Sequence, residues 1–387
     1  MYRIQTLNKI SPAGLDFFPR ELYRVDGKND EPDAILVRSY NMHDFEFPPS
    51  LKSIARAGTG VNNIPVDMCS KNGIVVFNTP GANANSVKGL VIAGLFLSSR
   101  RIVEGIIWAK SLIGKGEEIP KLVEKGKSQF SGPEIRGKKL GVIGLGAIGV
   151  MVANDASALG MHVIGYDPFI SVESAWGLSR DVRRASSLKS LLAHSDYISL
   201  HVPLNDETSM FIDREKFTLM KKGIRILNFA RGGLVNTRDL GEAIENGTVA
   251  VYLTDFPEED LLTMKNVIAI PHLGASTPEA EDSCARMAVE QTREYLENGN
   301  IRNSVNYPDC RMDFSGKNRL VIANENVPTI VGQITTILAG EGINIADMLN
   351  RSKGSNAFNI IDIDSNISNS SVQKIKSIKG VTMARII

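Results

Sequence analysis

The sequence predicts an α/β chain built on a doubly wound parallel sheet and followed by a smaller α+β unit. Three observations carry that expectation. Residues 137–168, GKKLGVIGLGAIGVMVANDASALGMHVIGYDP, read as strand, glycine-rich turn, helix and second strand. Up to about residue 280, short apolar runs alternate with helical stretches, as in a parallel sheet. Residues 317–387 run β-α-β-β-α-β instead, the ferredoxin-like order.

Each part of the 137–168 stretch has a physical task. Leu140-Gly141-Val142-Ile143 is a buried strand, Gly144, Gly146 and Gly149 spell G-x-G-x-x-G, and Ala147 to Leu159 is the helix that follows. Gly144 permits the tight turn. Gly146 brings bare backbone up to a pyrophosphate, and Gly149 lets the helix pack close to the strand. The helix start adds free N–H groups and a positive dipole end. Asp167, 18 residues past Gly149, is placed to accept hydrogen bonds from a ribose 2′-hydroxyl. A carboxylate there repels a 2′-phosphate, so the stretch reads as a Rossmann-type site for NAD rather than NADP.

Composition narrows the class. The 387 residues suffice for two or three domains, and 43% apolar with 22% charged residues is ordinary for a soluble globular protein. A net charge of +1, from 44 basic and 43 acidic side chains, makes no electrostatic case for nucleic acid or an anionic membrane. Cys69, Cys284 and Cys310 form an odd set without a C-x-x-C pair. Neither a disulfide framework nor a metal site is expected, and a reducing cytoplasm is the natural setting. The opening MYRIQTLNKISPAG lacks the apolar core of a signal peptide, and Ser86 to Leu97, the most apolar helical run, is too short to span a bilayer.

In chain order, Ala34 to Val37 is a strand ending at Arg38, and Lys52 to Ala55 a strand ending at Arg56 and Ala57-Gly58-Thr59-Gly60. Ile74 to Phe77 ends at Asn78-Thr79-Pro80-Gly81. Ligands gather at the carboxyl ends of such strands, and two arginines there suit an anion. Residues 86–110 read as one long helix leading to the second unit. Later strands end in His201-Val202-Pro203, Ala230-Arg231-Gly232-Gly233, Thr254-Asp255-Phe256-Pro257 and Pro271-His272-Leu273-Gly274, loops that would crowd one nicotinamide. Residues 279–298 are helical by period, and 300–316, polar with Pro308 and Gly316, read as a linker. The 317–387 unit has no plausible catalytic set and reads as a regulatory or assembly surface.

At this point the chain resembles the D-2-hydroxyacid dehydrogenases across nearly its whole length. Within them it is most similar to the short-form D-3-phosphoglycerate dehydrogenase branch with a C-terminal ACT domain. The matching stretches are 56–61 (RAGTGV), 78–81 (NTPG), 144–149 (GLGAIG), 230–233 (ARGG) and 271–277 (PHLGAST), with N-x-P and then GINI in the last unit. The resemblance implies a flavodoxin-like substrate domain from 1–95 and 285–312, an inserted Rossmann domain of 96–284, and a ferredoxin-like ACT domain of 317–387.

The resemblance also implies roles. Arg231 matches the arginine that binds the substrate carboxylate and carbonyl, and His272 the histidine that moves the proton with a glutamate. The chemistry stands by itself: as hydride leaves C2, a base takes the hydroxyl proton, and histidine titrates near neutrality. The glutamate motif is one residue short here, Asp255-Phe256-Pro257-Glu258-Glu259-Asp260; counting from Phe256 gives Glu259, with Glu258 the alternative. NAD contacts fall to Thr79, to Gly144, Gly146, Ala147, Ile148, Gly149 and Asp167, to His201, Val202 and Pro203, to Phe229, Ala230 and Arg231, and to Asp255, His272, Gly274 and Ala275. Asp255 matches the acid near the nicotinamide carboxamide, and His201 lies on the adenine side without a catalytic role. Arg38, Arg56, Ala57 and Gly58 fall at the substrate positions.

In the last unit Asn324, Asn326 and Asn344 are the candidate positions for a serine effector, with Thr329 replacing the family's glycine. The implied substrate is 3-phosphoglycerate, the cofactor NAD, and the assembly a cytoplasmic homodimer or homotetramer. Two alternatives compete. One is a dehydrogenase for glycerate, lactate or 2-hydroxyglutarate; the other is a corepressor-like NAD sensor.

Overall fold

The computed structural model describes residues 1–387 and divides them into two compact units, 1–83 with 278–387, and 84–277. The boundaries therefore fall at 83/84 and 277/278, not at 95/96 and 284/285. The helix Ala84–Arg100 packs on the helix Ala147–Ala158 and belongs to the second unit. The helix Pro278–Asn298 packs from its start on strands of the first. The expected single helix over 86–110 is two, Ala84–Arg100 and Ile102–Ser111, broken at Arg101, whose φ is 46°.

The first unit begins with a parallel sheet of β1 (Tyr2–Leu7), β2 (Tyr23–Asp26), β3 (Ala34–Val37), β4 (Ser53–Arg56) and β5 (Val75–Phe77). Their order, β2-β1-β3-β4-β5, is the flavodoxin-like winding. β3 is apolar and fully buried, and β4 is buried up to Arg56 at its end, as strands covered on both faces must be.

The second unit holds a seven-stranded parallel sheet of β6 (Lys139–Ile143), β7 (His162–Tyr166), β8 (Arg183–Arg184), β9 (Tyr197–Leu200), β10 (Ile224–Asn228), β11 (Val249–Thr254) and β12 (Val267–Ala269). The order β12-β11-β10-β9-β6-β7-β8 reverses direction between β6 and β9. That reversal opens a crevice at their carboxyl ends, the place where such sheets bind ligands. The Rossmann-type expectation is met.

The chain closes with the antiparallel sheet of β13 (Asn318–Glu325), β14 (Ile345–Lys353), β15 (Asn356–Ile363) and β16 (Val381–Ile386), in the order β14-β15-β13-β16. With the helices Ile330–Gly340 and Asn369–Lys376 this is the ferredoxin-like β-α-β-β-α-β arrangement. One face of the sheet carries the helices over Leu320, Ile322 and Ile361. The other face, with Val321, Ala323, Phe358 and Ile360, shares a core with Tyr295, Leu296, Tyr307 and Cys310. Arg319 and Asp362, both buried, lock that contact: Arg319 donates to Asp362 at 2.6 and 2.9 Å and to the carbonyls of Asn298 and Met312 at 2.9 Å. Burial alone would push the Asp362 carboxyl up, but the bonds from Arg319 and Ser315 hold it below the usual range. Losing one partner of such a buried pair costs about 3–5 kcal/mol.

Residues 300–316 are not a solvated linker. Ile301, Tyr307 and Cys310 are buried, and Ser304 bridges Phe77 at the edge of the first sheet. Asn306 accepts from the Val76 N–H and donates to Ile74 O, both at 2.9 Å. Its polarity thus satisfies backbone groups of β5 rather than water. All three cysteines are free and buried, and no helix is long and apolar enough to cross a membrane.

Candidate active site

The glycine turn is built as its spacing requires. Gly144 has φ 90°, and a Cβ there would lie 2.7 Å from the carbonyl carbon and oxygen of His201. A Cβ on Gly149 would lie 2.0 Å from Gly144 O, so only glycine lets the helix sit this close to the turn. Gly146 caps the helix, and a Cβ built on it meets nothing within 4 Å. The space before the helix N-terminus is open, and Gly146 and Ala147 are exposed there, with Ile148 half-buried. Asp167 lies just past β7, where Oδ2 accepts from the Leu145 N–H and Oδ1 from the Phe169 N–H, each at 2.8 Å. Two backbone donors thereby fix the carboxylate against the turn.

Beside the turn, the His201 N–H donates to Ile143 O at 2.7 Å, and its Nε2 meets Ser199 Oγ at 2.8 Å. Desolvation pushes the His201 pKa down to about 4, so the ring is neutral near pH 7 and is not a proton shuttle there. Val202 packs against the Gly144 position, and Pro203 O accepts from Thr208 Oγ1 at 2.6 Å. The Phe229 ring is buried in the core against Gly94, which leaves only its backbone to face a ligand.

Arg231 follows β10 in an exposed loop, its Nη1 donating to Ala230 O at 2.7 Å. Asn228, which the sequence reading passed over, shapes that loop. Its buried amide accepts from the Ala230 and Arg231 N–H groups at 3.2 and 3.4 Å. It donates to Arg231 O at 2.8 Å and to the Tyr252 hydroxyl at 3.1 Å. An asparagine closing the buried run Ile226-Leu227 was the available signal.

His272 is exposed, its ring 4.7 Å from the Phe256 ring centroid, and it makes no hydrogen bond to either glutamate. Glu259 opens the short helix Glu259–Thr263 and faces solvent. Glu258 reaches back: its Oε1 would lie 3.4 Å from a Cβ on Gly232, and its Oε2 accepts from Thr237 Oγ1 at 3.5 Å. Asp255 is fully buried, and neither carboxylate oxygen has a hydrogen-bond partner of good geometry. Burial pushes its carboxyl above the usual range, opposed by His272, the Gly274 N–H and Arg231. Gly274 is buried and Ala275 half-buried, so Asp255, His272 and Gly274 meet at the ends of β11 and β12. An orphaned buried acceptor is what a carboxamide N–H₂ satisfies, and the open helix terminus and fixed Asp167 suit a pyrophosphate and ribose. These residues fit NAD.

In the first unit, Arg38 and Arg56 stand at the ends of neighbouring strands. Arg56 Nε donates to Arg38 O at 3.1 Å, and Arg38 Nη1 pairs with Glu281 Oε1 at 2.6 Å. Ala57 N–H donates to Val37 O at 2.8 Å. Gly58, at φ 149°, holds a backbone conformation that L side chains rarely adopt, with Arg56 Nη1 packed against it. Thr79 is buried and its N–H donates to Gly58 O at 3.1 Å.

In the C-terminal sheet the three candidate effector asparagines are occupied internally. Asn324 Oδ1 accepts from Asn359 at 2.7 Å, Asn326 donates to Gly354 O at 3.2 Å, and Asn344 donates to Asp364 at 2.8 Å. Asn350 and Asn359, unremarked in the sequence, extend the first of these into a ladder. Thr329 has φ 75°, a left-handed position that glycine would fill without strain.

Comparison with known proteins shows the family. Residues 99–274 match the family described as D-isomer specific 2-hydroxyacid dehydrogenase, NAD binding domain. The chain is 31% identical over 347 residues to the D-3-phosphoglycerate dehydrogenase of Escherichia coli K12, covering 85% of this chain and 79% of that one. It is 38% identical over 299 residues to the enzyme of that name from Methanocaldococcus jannaschii, covering 75% of this chain and 55% of that one. The matched region thus spans about half the length of several such relatives. The holo structure of Rhodotorula graminis D-mandelate dehydrogenase shares the fold, with a TM-score of 0.66, 24% identity, and 79% and 97% of the two chains covered. The chain belongs to the D-isomer-specific 2-hydroxyacid dehydrogenases, and residues 99–274 are its NAD-binding domain.

Proposed function

We propose that the protein oxidises 3-phospho-D-glycerate to 3-phosphohydroxypyruvate, the first step of serine biosynthesis, as a cytoplasmic homodimer or homotetramer. The observation that carries the reading is the meeting of His272 with the buried, unpartnered Asp255 beside the Arg231 loop. The relatives named above supply the substrate class.

NAD, held by the Gly144–Gly149 turn, Asp167 and Asp255, would supply the hydride acceptor for C2. His272 takes the hydroxyl proton, so the exposed imidazole becomes imidazolium and then passes that proton to water. Arg231 holds the substrate carboxylate and the developing carbonyl, and Asn228 fixes the backbone that presents it. Glu258 is turned toward the Arg231 loop and is better placed than Glu259 to orient the histidine. Asp255 would accept from the nicotinamide carboxamide N–H₂. Arg38 and Arg56 read the phosphate, and Ala57 and Gly58 set their spacing. The C-terminal sheet serves as an ACT domain, with Asn324, Asn326 and Asn344 the residues for a serine effector.

One observation favours a second reading, an unphosphorylated hydroxyacid such as glycerate: Arg38 already carries the Glu281 carboxylate. The test of the leading chemistry is His272→Ala. kcat should fall by roughly 10²–10⁴, the usual yield of positioned acid–base chemistry, with NAD affinity nearly unchanged. Near-normal turnover would remove His272 from the mechanism.

A further inference from the structure

We propose that Glu281 is a specificity determinant, an internal carboxylate that competes with the substrate phosphate for Arg38. The proposal rests on the reading of Arg38 and Arg56 as the phosphate site. Val37 and Arg56 are in register across β3 and β4, so Arg38, one residue on, and Arg56 stand at the same sheet end. Glu281 lies in the first turn of the helix Pro278–Asn298, which packs on both strands. It closes on Arg38 Nη1 at 2.6 Å. Arg56 Nε reaches the Arg38 carbonyl at 3.1 Å, so Arg56 stands beside the Arg38–Glu281 pair. The sheet end therefore carries two positive charges and one negative.

A phosphate monoester brings between one and a half and two negative charges at neutral pH, about as many as two arginines can match. With Glu281 on Arg38, one of those positive charges is already answered. The phosphate must displace the carboxylate and then sit beside it, like charge against like. Displacement is feasible because the pair is half-exposed, Arg38 at 35% and Glu281 at 41% of side-chain surface. Exposed pairs of this kind are worth at most about 1 kcal/mol, roughly fivefold in affinity. A substrate without the phosphate leaves the Arg38–Glu281 pair intact and is not penalised. Glu281 therefore narrows the margin by which the site prefers phosphorylated over unphosphorylated hydroxyacids.

The test compares the native chain with Glu281→Gln, which keeps the shape and removes the charge, and with Glu279→Gln, an exposed acid on the same turn, as control. Inorganic phosphate is titrated calorimetrically against each protein, and KM is measured for 3-phosphoglycerate and for D-glycerate. Glu281→Gln should bind phosphate about fivefold more tightly, lower KM for 3-phosphoglycerate by a similar factor, and leave KM for D-glycerate in place. Glu279→Gln should change none of these. Unchanged or weaker phosphate binding in Glu281→Gln would overturn the proposal and make Glu281 a residue that positions Arg38. An equal gain in Glu279→Gln would overturn it too, as a general effect of surface charge. Absence of turnover with 3-phosphoglycerate in the native protein would defeat the functional reading alone, because the phosphate titration still decides the role of Glu281.

Discussion

Asp255→Asn separates what the site needs from what the fold prefers. Asp255 is fully buried at the end of β11, and both its oxygens lack a well-formed hydrogen bond. Burial raises its carboxyl, so at neutral pH the ionised form is held at a cost. The amide has nearly the same shape and no charge to desolvate. Leaving a buried polar group unsatisfied costs about 1–3 kcal/mol, more when it is charged, and Asn recovers part of that. For a unit of this size each kcal/mol moves Tm by about 2–4 °C, so the ligand-free variant should melt several degrees higher. The sign follows from the direction of the shift. The folded carboxyl has the higher pKa, so native stability recovers as pH falls through it, and the variant's advantage is full at neutral pH and shrinks on acidification. NAD binding moves the other way. A bond to a charged acceptor contributes about 1.5–3 kcal/mol and Asn still accepts, so affinity should fall by roughly tenfold. Differential scanning calorimetry with and without NAD, across pH, reads both effects. A lower Tm for the ligand-free variant, or unchanged NAD affinity, would show that Asp255 is an ordinary structural carboxylate.

Two further outcomes follow. The His201 pKa near 4 lies below its unfolded value, so the unfolded chain binds the extra proton first. Native stability should therefore drop by about 2–3 kcal/mol as pH falls from about 6.5 to about 4, and His201→Gln should flatten that slope in pH-dependent denaturant melts; an equal slope in the variant would refute it. Serine should inhibit weakly to moderately, through differential binding to the less active arrangement, and Asn344→Ala should abolish the effect. Millimolar serine without effect on native activity or melting would leave the C-terminal sheet as an assembly surface.

Much of this architecture was written locally in the chain. Gly144 and Gly149 could be read because their roles are steric and short-range, and spacing alone encodes them. The β-α-β-β-α-β tail could be read because apolar periodicity survives in strands such as Phe358–Ile363. What the sequence hid was non-local. Residues 300–316 are polar like a linker, yet Asn306 spends its amide on the backbone of β5, a partner more than two hundred residues away in sequence. Arg319 and Asp362 look like surface charges until packing buries them together. The helix over 86–110 breaks at Arg101 by a single left-handed residue that no pattern announces. In the site, Asn228 and Glu281 were missed for the same reason: each acts through a neighbour brought close only by the fold. Glu258 turns toward Gly232 and Glu259 toward solvent, a difference that spacing does not encode.

Hydride transfer from a phosphorylated hydroxyacid to NAD is open to one direct measurement. Formation of reduced cofactor by the native protein is followed with 3-phosphoglycerate, D-glycerate, D-lactate and D-2-hydroxyglutarate, each with NAD and with NADP. The highest kcat/KM is expected for 3-phosphoglycerate with NAD, and little turnover with NADP, since a carboxylate at Asp167 would repel a 2′-phosphate. A higher kcat/KM for any unphosphorylated substrate, or equal use of NADP, would contradict it.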